Sequence, residues 1–319
     1  MAVQAALALL LVAATQGGFA TRGLIFCISI VLGLARAFQM PAQQALTPLL
    51  VPQALLARAV AVSSSGVQVA VIGGPALGGL LYTQGASTVY LTCAGLLALS
   101  CALALAVHYR HQPATDSATW RTVLAGVEFV WRHKLLLGAT SLDLFAVLLG
   151  GATALLPIYA RDILHTGPQG LGLLRAAPAV GALAMSLVLA RWPLQRHVGH
   201  KLLAAVAVFG LATVVFGLSE HFLLSLMALA VTGAADNISV VTRQTLVQIE
   251  TPDAMRGRVA AVNSIFIGAS NQLGEFESGA TAALFGPVGS VVMGGVGTVL
   301  VAALWLRLFP ALARRDRMV

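Results

Sequence analysis

The chain has 319 residues, of which 58% are hydrophobic and only 9% charged, with a mean hydropathy of +0.89 and a formal net charge of +8. A soluble domain carries about 25% charged residues, so the composition excludes a soluble globular protein and points to an all-α integral membrane one. The basic balance, with a pI near 10.3, does not call for nucleic acid, because the sidedness of the charge accounts for it.

A helix needs about 20 apolar residues to cross a bilayer. Charged or turn-forming breaks divide the chain into ten such windows, at 2–14, 23–38, 59–82, 88–107, 136–158, 169–190, 202–218, 223–241, 259–284 and 290–309. The first window is short and the chain begins inside it. It lacks the basic start and cleavage site of a signal peptide, so it reads as helix. Between the fourth and fifth windows, Trp120 to Lys134 forms an amphipathic interfacial stretch, with Val123, Val127, Val130 and Trp131 on one face and Arg121, Glu128 and Arg132 on the other.

Laid on this topology, Arg22 and Arg161 fall on one side, Arg175 lies within a span, and every other Lys and Arg falls on the opposite side. The positive-inside rule makes that side cytoplasmic, so the N-terminus, the loop 108–135 and the C-terminus are expected there. Cys27, Cys93 and Cys101 lie in apolar windows as small hydrophobes. No disulfide framework, metal spacing, nucleotide-binding signature or cofactor motif is recognisable, so an enzyme is not expected.

Residues 35–64 reappear at 235–264. Ala35, Gln44, Leu46, Pro52, Ala54, Arg58, Ala61, Val62 and Ser64 coincide with Ala235, Gln244, Leu246, Pro252, Ala254, Arg258, Ala261, Val262 and Ser264, and Gly74 and Gly79 coincide with Gly274 and Gly279. An internal repeat in an apolar chain is the signature of a transporter built from two similar halves. Subtracting the offset leaves the windows near 136 and 169 without first-half counterparts. The expected organisation is therefore a six-plus-six protein lacking its first two helices, with 1–108 as the rest of the N-terminal half, 109–135 as a linker, and 136–319 as a C-terminal six-helix half. A shortened gene model, a late start codon and a real truncation all stay open.

The two-half layout, the long connection, and the segments Gly74-Pro75-Ala76-Leu77-Gly78-Gly79, Thr251 to Arg258, and Gly274-Glu275-Phe276-Glu277-Ser278-Gly279 resemble the major facilitator superfamily. Within it they are most similar to the branch that includes the bacterial enterobactin exporter. That resemblance implies a major facilitator-type helical bundle of twelve spans, of which about ten are present. It also implies transport by alternating access, monomeric, in the bacterial plasma (inner) membrane. Gly74, Pro75, Gly78 and Gly79 match the second half of the exporters' antiporter segment, with Ala70 in place of an earlier glycine. Glycines let helices approach closely and proline bends the helix, which serves either a seal or plain packing.

The family's cytoplasmic loop signature has its second-half counterpart at Ala190 to Lys201. There Arg196, Gly199 and Lys201 fit a basic turn but the acidic residue is missing. With Arg58 and Arg258 of the repeated loops, Arg196 and Lys201 are the candidates for a cytoplasmic gate, with simple positive-inside anchoring as the alternative. Arg36-Ala37-Phe38-Gln39 resembles the arginine motif of drug antiporters, although Met40 stands where glycine is expected.

A charge inside the bilayer costs about 2.5 to 3.5 kcal/mol, so it marks a partner, a wet cavity or a function. Asp143, Arg175, Asp236, Glu275 and Glu277 qualify. At about 1.5 Å per residue, Arg175, Glu275 and Glu277 lie at matching depths below the outer ends of their helices, and Asp143 and Asp236 form a separate layer nearer the inner face. Arg175 is expected to pair with Glu275 or Glu277, and one of those carboxylates or Asp143 is expected to carry a proton. A permanent salt bridge is the alternative. Glu275 and Glu277 are about 200° apart on a helix and cannot share one cavity. Gln68, Asn237, Asn263, Asn271 and Gln272, with Ser63 to Ser65 and Ser264, add polar groups that turn toward the bundle or a watery path. They are candidates for lining a small-molecule cavity.

These features together predict a proton-coupled exporter of small amphipathic molecules such as drugs or siderophores. An importer of the same fold and a non-transporting truncated membrane protein are the alternatives.

Overall fold

Uninterrupted apolar runs become helices here because a membrane offers the backbone no other hydrogen-bond partners. The structure, a computed structural model, describes residues 1–50, 53–107, 120–192, 194 and 196–316. The described residues are almost entirely helical. Seven of the helices are long and apolar enough to cross a membrane, alongside the shorter apolar stretches Ala2–Gln16 and Val69–Tyr82. The chain divides into two units, Met1–Ala114 and Thr115–Val319.

The first unit holds α1 (Ala2–Gln16), α2 (Arg22–Leu50), α3 (Gln53–Tyr82) and α4 (Ala86–Ala106). Helix α1 packs along α4, and apart from Gln4 the buried positions of the two helices are alanines, namely Ala5, Ala8, Ala14 and Ala94. Small side chains let helices approach in lipid, where dispersion rather than water exclusion drives the contact.

The second unit starts with α5 (Trp120–Arg132) and α6 (Lys134–Leu149). A single helix over 136–158 is expected there. The structure instead stops α6 at the consecutive glycines Gly150 and Gly151 and continues through a 3-10 turn (Ala152–Leu155), α7 (Leu156–Ile158) and a π turn (Tyr159–Ile163). There follow α8 (Gly167–Arg191), α9 (Val198–Leu218), α10 (Phe222–Glu250), α11 (Asp253–Leu308) and α12 (Pro310–Ala313). The amphipathic stretch forms α5 as expected. Val130 is buried with Val259 and Val262 of α11, and Val127 packs beside it. Trp131 is 71% exposed and stands off that face. Residues 109–119 of the expected linker lie outside the described residues.

Helix α11 is two spans in one. Its 56 residues would extend about 84 Å at 1.5 Å per residue, against a hydrocarbon core of about 30 Å. Gly286 breaks it, with φ 76° and ψ 164°, a region essentially closed to side chains. Pro287 then removes a backbone donor. The break falls between the windows expected at 259–284 and 290–309.

Glycine sets the helix crossings of this unit. A Cβ at Gly233 would strike the Pro178 carbonyl oxygen, and one at Gly181 the Ala230 carbonyl oxygen, so α8 and α10 touch backbone to backbone. Gly210 and Gly295 do the same for α9 and α11, each Cβ position lying 2.7 Å from the other residue's carbonyl oxygen. Gly274 and Gly294 of α11 receive the end of α6, against the carbonyl oxygens of Val147 and Leu149 respectively.

Two apolar clusters lie along these helices. One gathers Leu155, Leu156, Tyr159, Leu174, Phe216 and Leu229. The other gathers Leu142, Leu202, Val206, Leu246, Trp305 and Leu312. On α10 the stretch between the two clusters carries a polar layer, with Asp236, Ser239, Thr242 and Arg243, which Asp143 of α6 joins, and the candidate site is built there.

Candidate functional site

The centre of the layer is an arginine. Arg243 is 2% exposed, and its Nη2 lies 2.9 Å from Asp143 Oδ2, with the Asp143 side chain also buried. Its Nη1 donates to Asn263 Oδ1 at 2.9 Å. One guanidinium thus ties α6, α10 and α11 together, and its fork geometry suits two acceptors at once. Arg243 Nε and Thr242 Oγ1 are buried without a hydrogen-bond partner.

Beside the pair, a small cavity is lined by both Asp143 and Asp236, with Ala146, Val206, Phe209 and Ser239. Asp236 also borders a larger cavity of about 200 Å³, together with Asn271, Glu275, Thr213, Phe209 and Phe216. Asp236 is therefore common to the two spaces. Among the described residues it has no hydrogen-bond or ion-pair partner. The break in α6 forms another wall of the larger cavity, through Gly150, Gly151, Ala152 and Thr153. Irregular backbone is tolerated at membrane depth where it lines such a space.

The sequence-derived candidates separate on this geometry. Asp143 and Asp236 share a layer and a cavity. Glu275 lines the larger cavity and Glu277 does not, as their angular separation requires. The expected pairing of Arg175 with a glutamate is not made, since Arg175 is exposed and forms no ion pair among the described residues. Asn263 serves the arginine rather than a cavity, Asn271 does line the larger one, and Gln272 is exposed. Asn237 has its Nδ2 buried without a partner. The side chains of Arg58, Gln68 and Ser63 to Ser65 lie outside the described residues.

Among the glycines of the antiporter segment, nothing lies within 4 Å of a Cβ built on Gly74 or Gly78, and Pro75 sits inside α3 without ending it. Arg196 and Lys201 are exposed and form no ion pair among the described residues, and Arg258 is exposed with Nη1 3.6 Å from Met255 Sδ. An acidic side chain from far along the chain reaches the loop at 190–201. Asp316 Oδ1 accepts the His197 N–H at 3.1 Å, and Gly199 N–H donates to the Arg315 carbonyl at 3.0 Å.

Arg243 is the residue that sequence reasoning misplaced. The window 223–241 ends before it and leaves it on the cytoplasmic side. In the structure α10 runs to Glu250, which carries the charge inside the bundle and supplies Asp143 with its partner. The available signal was the lack of any helix breaker between Gly233 and Pro252. A residue before proline is the natural place for a helix to stop.

Residues 1–317 match a family described as transmembrane secretion effector. An uncharacterized MFS-type transporter, YjbB of Bacillus subtilis (strain 168), is 26% identical over 305 residues, which is 92% of this chain and 71% of that protein. The enterobactin exporter EntS of Citrobacter koseri is 29% identical over 301 residues, 91% of this chain and 70% of that protein. EntS of Escherichia coli O1:K1 / APEC is 27% identical over a stretch of the same length. These relatives are transporters, not enzymes.

Proposed function

Since this chain belongs to the transmembrane secretion effector family of the major facilitator superfamily, and is thus a multi-pass membrane protein of a transporter family, we propose that it is a proton-coupled exporter of small amphipathic molecules. It works by alternating access, as a monomer without a cofactor, in the plasma (inner) membrane of a bacterium. Both tails are cytoplasmic, in keeping with the one-sided distribution of Lys and Arg. Residues 109–135 connect the four helices of 1–108 to the six-helix C-terminal half, and Gly74 to Gly79 act as the antiporter segment. The names of the EntS relatives put siderophores among the candidate cargoes.

The observation that carries this reading is the buried Asp143–Arg243 pair beside Asp236, which has no partner among the described residues. A charge at this depth is retained for a purpose. A proton on Asp143 removes the countercharge of Arg243, and Asp236 is the other carboxylate within its electrostatic reach. The arginine then has two discrete partners, one for each protonation state of Asp143. That is the two-state element that coupling requires.

The test is transport in proteoliposomes of the full chain with an imposed pH gradient, using a panel of dyes and iron chelators. The gradient is expected to drive uptake of at least one compound in inside-out vesicles. Asp143→Asn and Asp236→Asn are each expected to slow it at least tenfold at unchanged protein level. Undiminished gradient-driven transport in both variants removes the coupling assignment.

A further inference from the structure

We propose that the 200 Å³ cavity of the second unit is a binding site for a small organic cation with an apolar body. This deepens the exporter reading and rests on it for the direction of transport only.

The charge inventory is lopsided. Asp143 and Arg243 neutralise one another within hydrogen-bond distance. The cavity next to them keeps two further carboxylates, Asp236 and Glu275, and none of the described residues that line it is basic. Neither carboxylate has an ion-pair partner among the described residues. Asp236 is half-buried and Glu275 exposed; leaving the buried part of a carboxylate without a countercharge is costly, and the two on one cavity wall set a negative potential that a cationic ligand relieves.

The broken helix adds to the same sign. Helix α6 ends at Leu149 and its last turn borders the space through Val147, Gly150 and Gly151. The C-terminus of a helix carries a partial negative charge from its unmatched carbonyls. In broken transmembrane helices such ends face cations.

The apolar walls set the rest of the ligand. Phe209 and Phe216 border the cavity, and Phe216 is held in place by Tyr159, with ring centroids 4.6 Å apart. The Tyr159 hydroxyl is in turn anchored on the Gly217 carbonyl at 2.9 Å. Aromatic faces attract ammonium groups and accept hydrocarbon equally well. A volume of about 200 Å³ exceeds the roughly 150 Å³ that holds a benzene ring, which suits an aryl or alkyl ammonium rather than a large chelator.

The experiment is binding to the purified full chain in nanodiscs, followed by calorimetry, with three probes of one size. Benzyltrimethylammonium carries the charge, neopentylbenzene is its neutral carbon isostere, and phenylacetate reverses the sign. The expected result is saturable binding of the cation, at least tenfold weaker binding of the other two, and at least tenfold loss of cation affinity in Glu275→Gln. Asp236→Asn is expected to act in the same way. Phe209→Leu is expected to weaken the cation severalfold while leaving the isostere unchanged, and it keeps the test decisive if a carboxylate variant misfolds. Equal binding of cation and isostere, preferential binding of phenylacetate, or unchanged cation affinity in Glu275→Gln overturns the proposal. Transport separates the two readings: gradient-driven export of anions or neutral compounds alone, without cation binding, defeats the cation site and leaves the exporter standing. Charge-dependent cation binding without export of any compound leaves the site and defeats the exporter.

Discussion

Arg243 and Asp143 meet at 2.9 Å with both side chains buried, joining α10 to α6. Breaking a buried pair by deleting one partner strands the other charge and costs about 3–5 kcal/mol, whereas replacing both with apolar residues is close to neutral. Arg243→Met is therefore expected to destabilise the protein by that amount, and Asp143→Leu to do likewise. The double variant is expected to recover most of the loss. Thermal unfolding in detergent measures all three, and strict additivity of the single losses contradicts the pairing. Transport is lost in the double variant even where stability returns.

Much of the fold is legible in the sequence because membrane helices follow a simple length rule. All ten windows meet a helix, and the Phe285-Gly286-Pro287 turn separates the last two even though α11 continues on both sides. The site is less legible. Hydropathy treats Arg243 as the end of a span, because a charge lowers the local mean whether it faces water or a buried carboxylate. Its partner comes from a helix 100 residues earlier in the chain, and no periodicity records that. The depth argument does place Asp143 and Asp236 in one layer. It fails for Arg175, since equal depth says nothing about which way two side chains face. Gly150 and Gly151 are visible in the sequence, but glycine pairs also occur at plain helix contacts, so the break in α6 emerges only from the structure.

Helix α8 crosses α10 where Gly233 faces the Pro178 carbonyl and Gly181 faces that of Ala230. Adding a methyl group at either position forces the helices apart. Overpacking of this kind costs about 1–3 kcal/mol. Gly233→Ala and Gly181→Ala are each expected to lower thermal stability by that amount. Gly268 of α11 has nothing within 4 Å of a Cβ, so Gly268→Ala is expected to be neutral or stabilising by up to about 1 kcal/mol, since alanine is the better helix former. Equal losses at all three positions contradict the assigned contacts.

The break in α11 rests on one backbone conformation. Gly286 adopts φ 76° with ψ 164°, and an alanine there carries strain of about 1–3 kcal/mol. Gly286→Ala is expected to lower stability by that amount. Gly279→Ala is a fair comparison, because it sits within the same helix with open space around it. If Gly286→Ala unfolds at the same temperature as the parent protein, the turn is not where the structure places it.

The C-terminal segment is fastened by backbone hydrogen bonds and by the half-buried Arg315–Glu250 pair at 2.8 Å, and little by its outermost charges. His197 and Asp316 approach to 3.7 Å, but both side chains are more than half exposed, and exposed pairs contribute only about 0–1 kcal/mol. Beneath them, Val198 and Gly199 donate backbone hydrogen bonds to Asp316 and Arg315, and Gly199 lies so close to the Leu312 carbonyl that a Cβ would overlap it. Asp316→Asn is thus expected to change stability by no more than about 1 kcal/mol, with a weak dependence on salt. Gly199→Ala displaces α12 from α9 and is expected to cost about 1–3 kcal/mol, and to speed proteolysis of the tail beyond Leu308. Should Asp316→Asn expose the tail to protease as readily as Gly199→Ala, the surface charge rather than the backbone contact fastens this end of the chain.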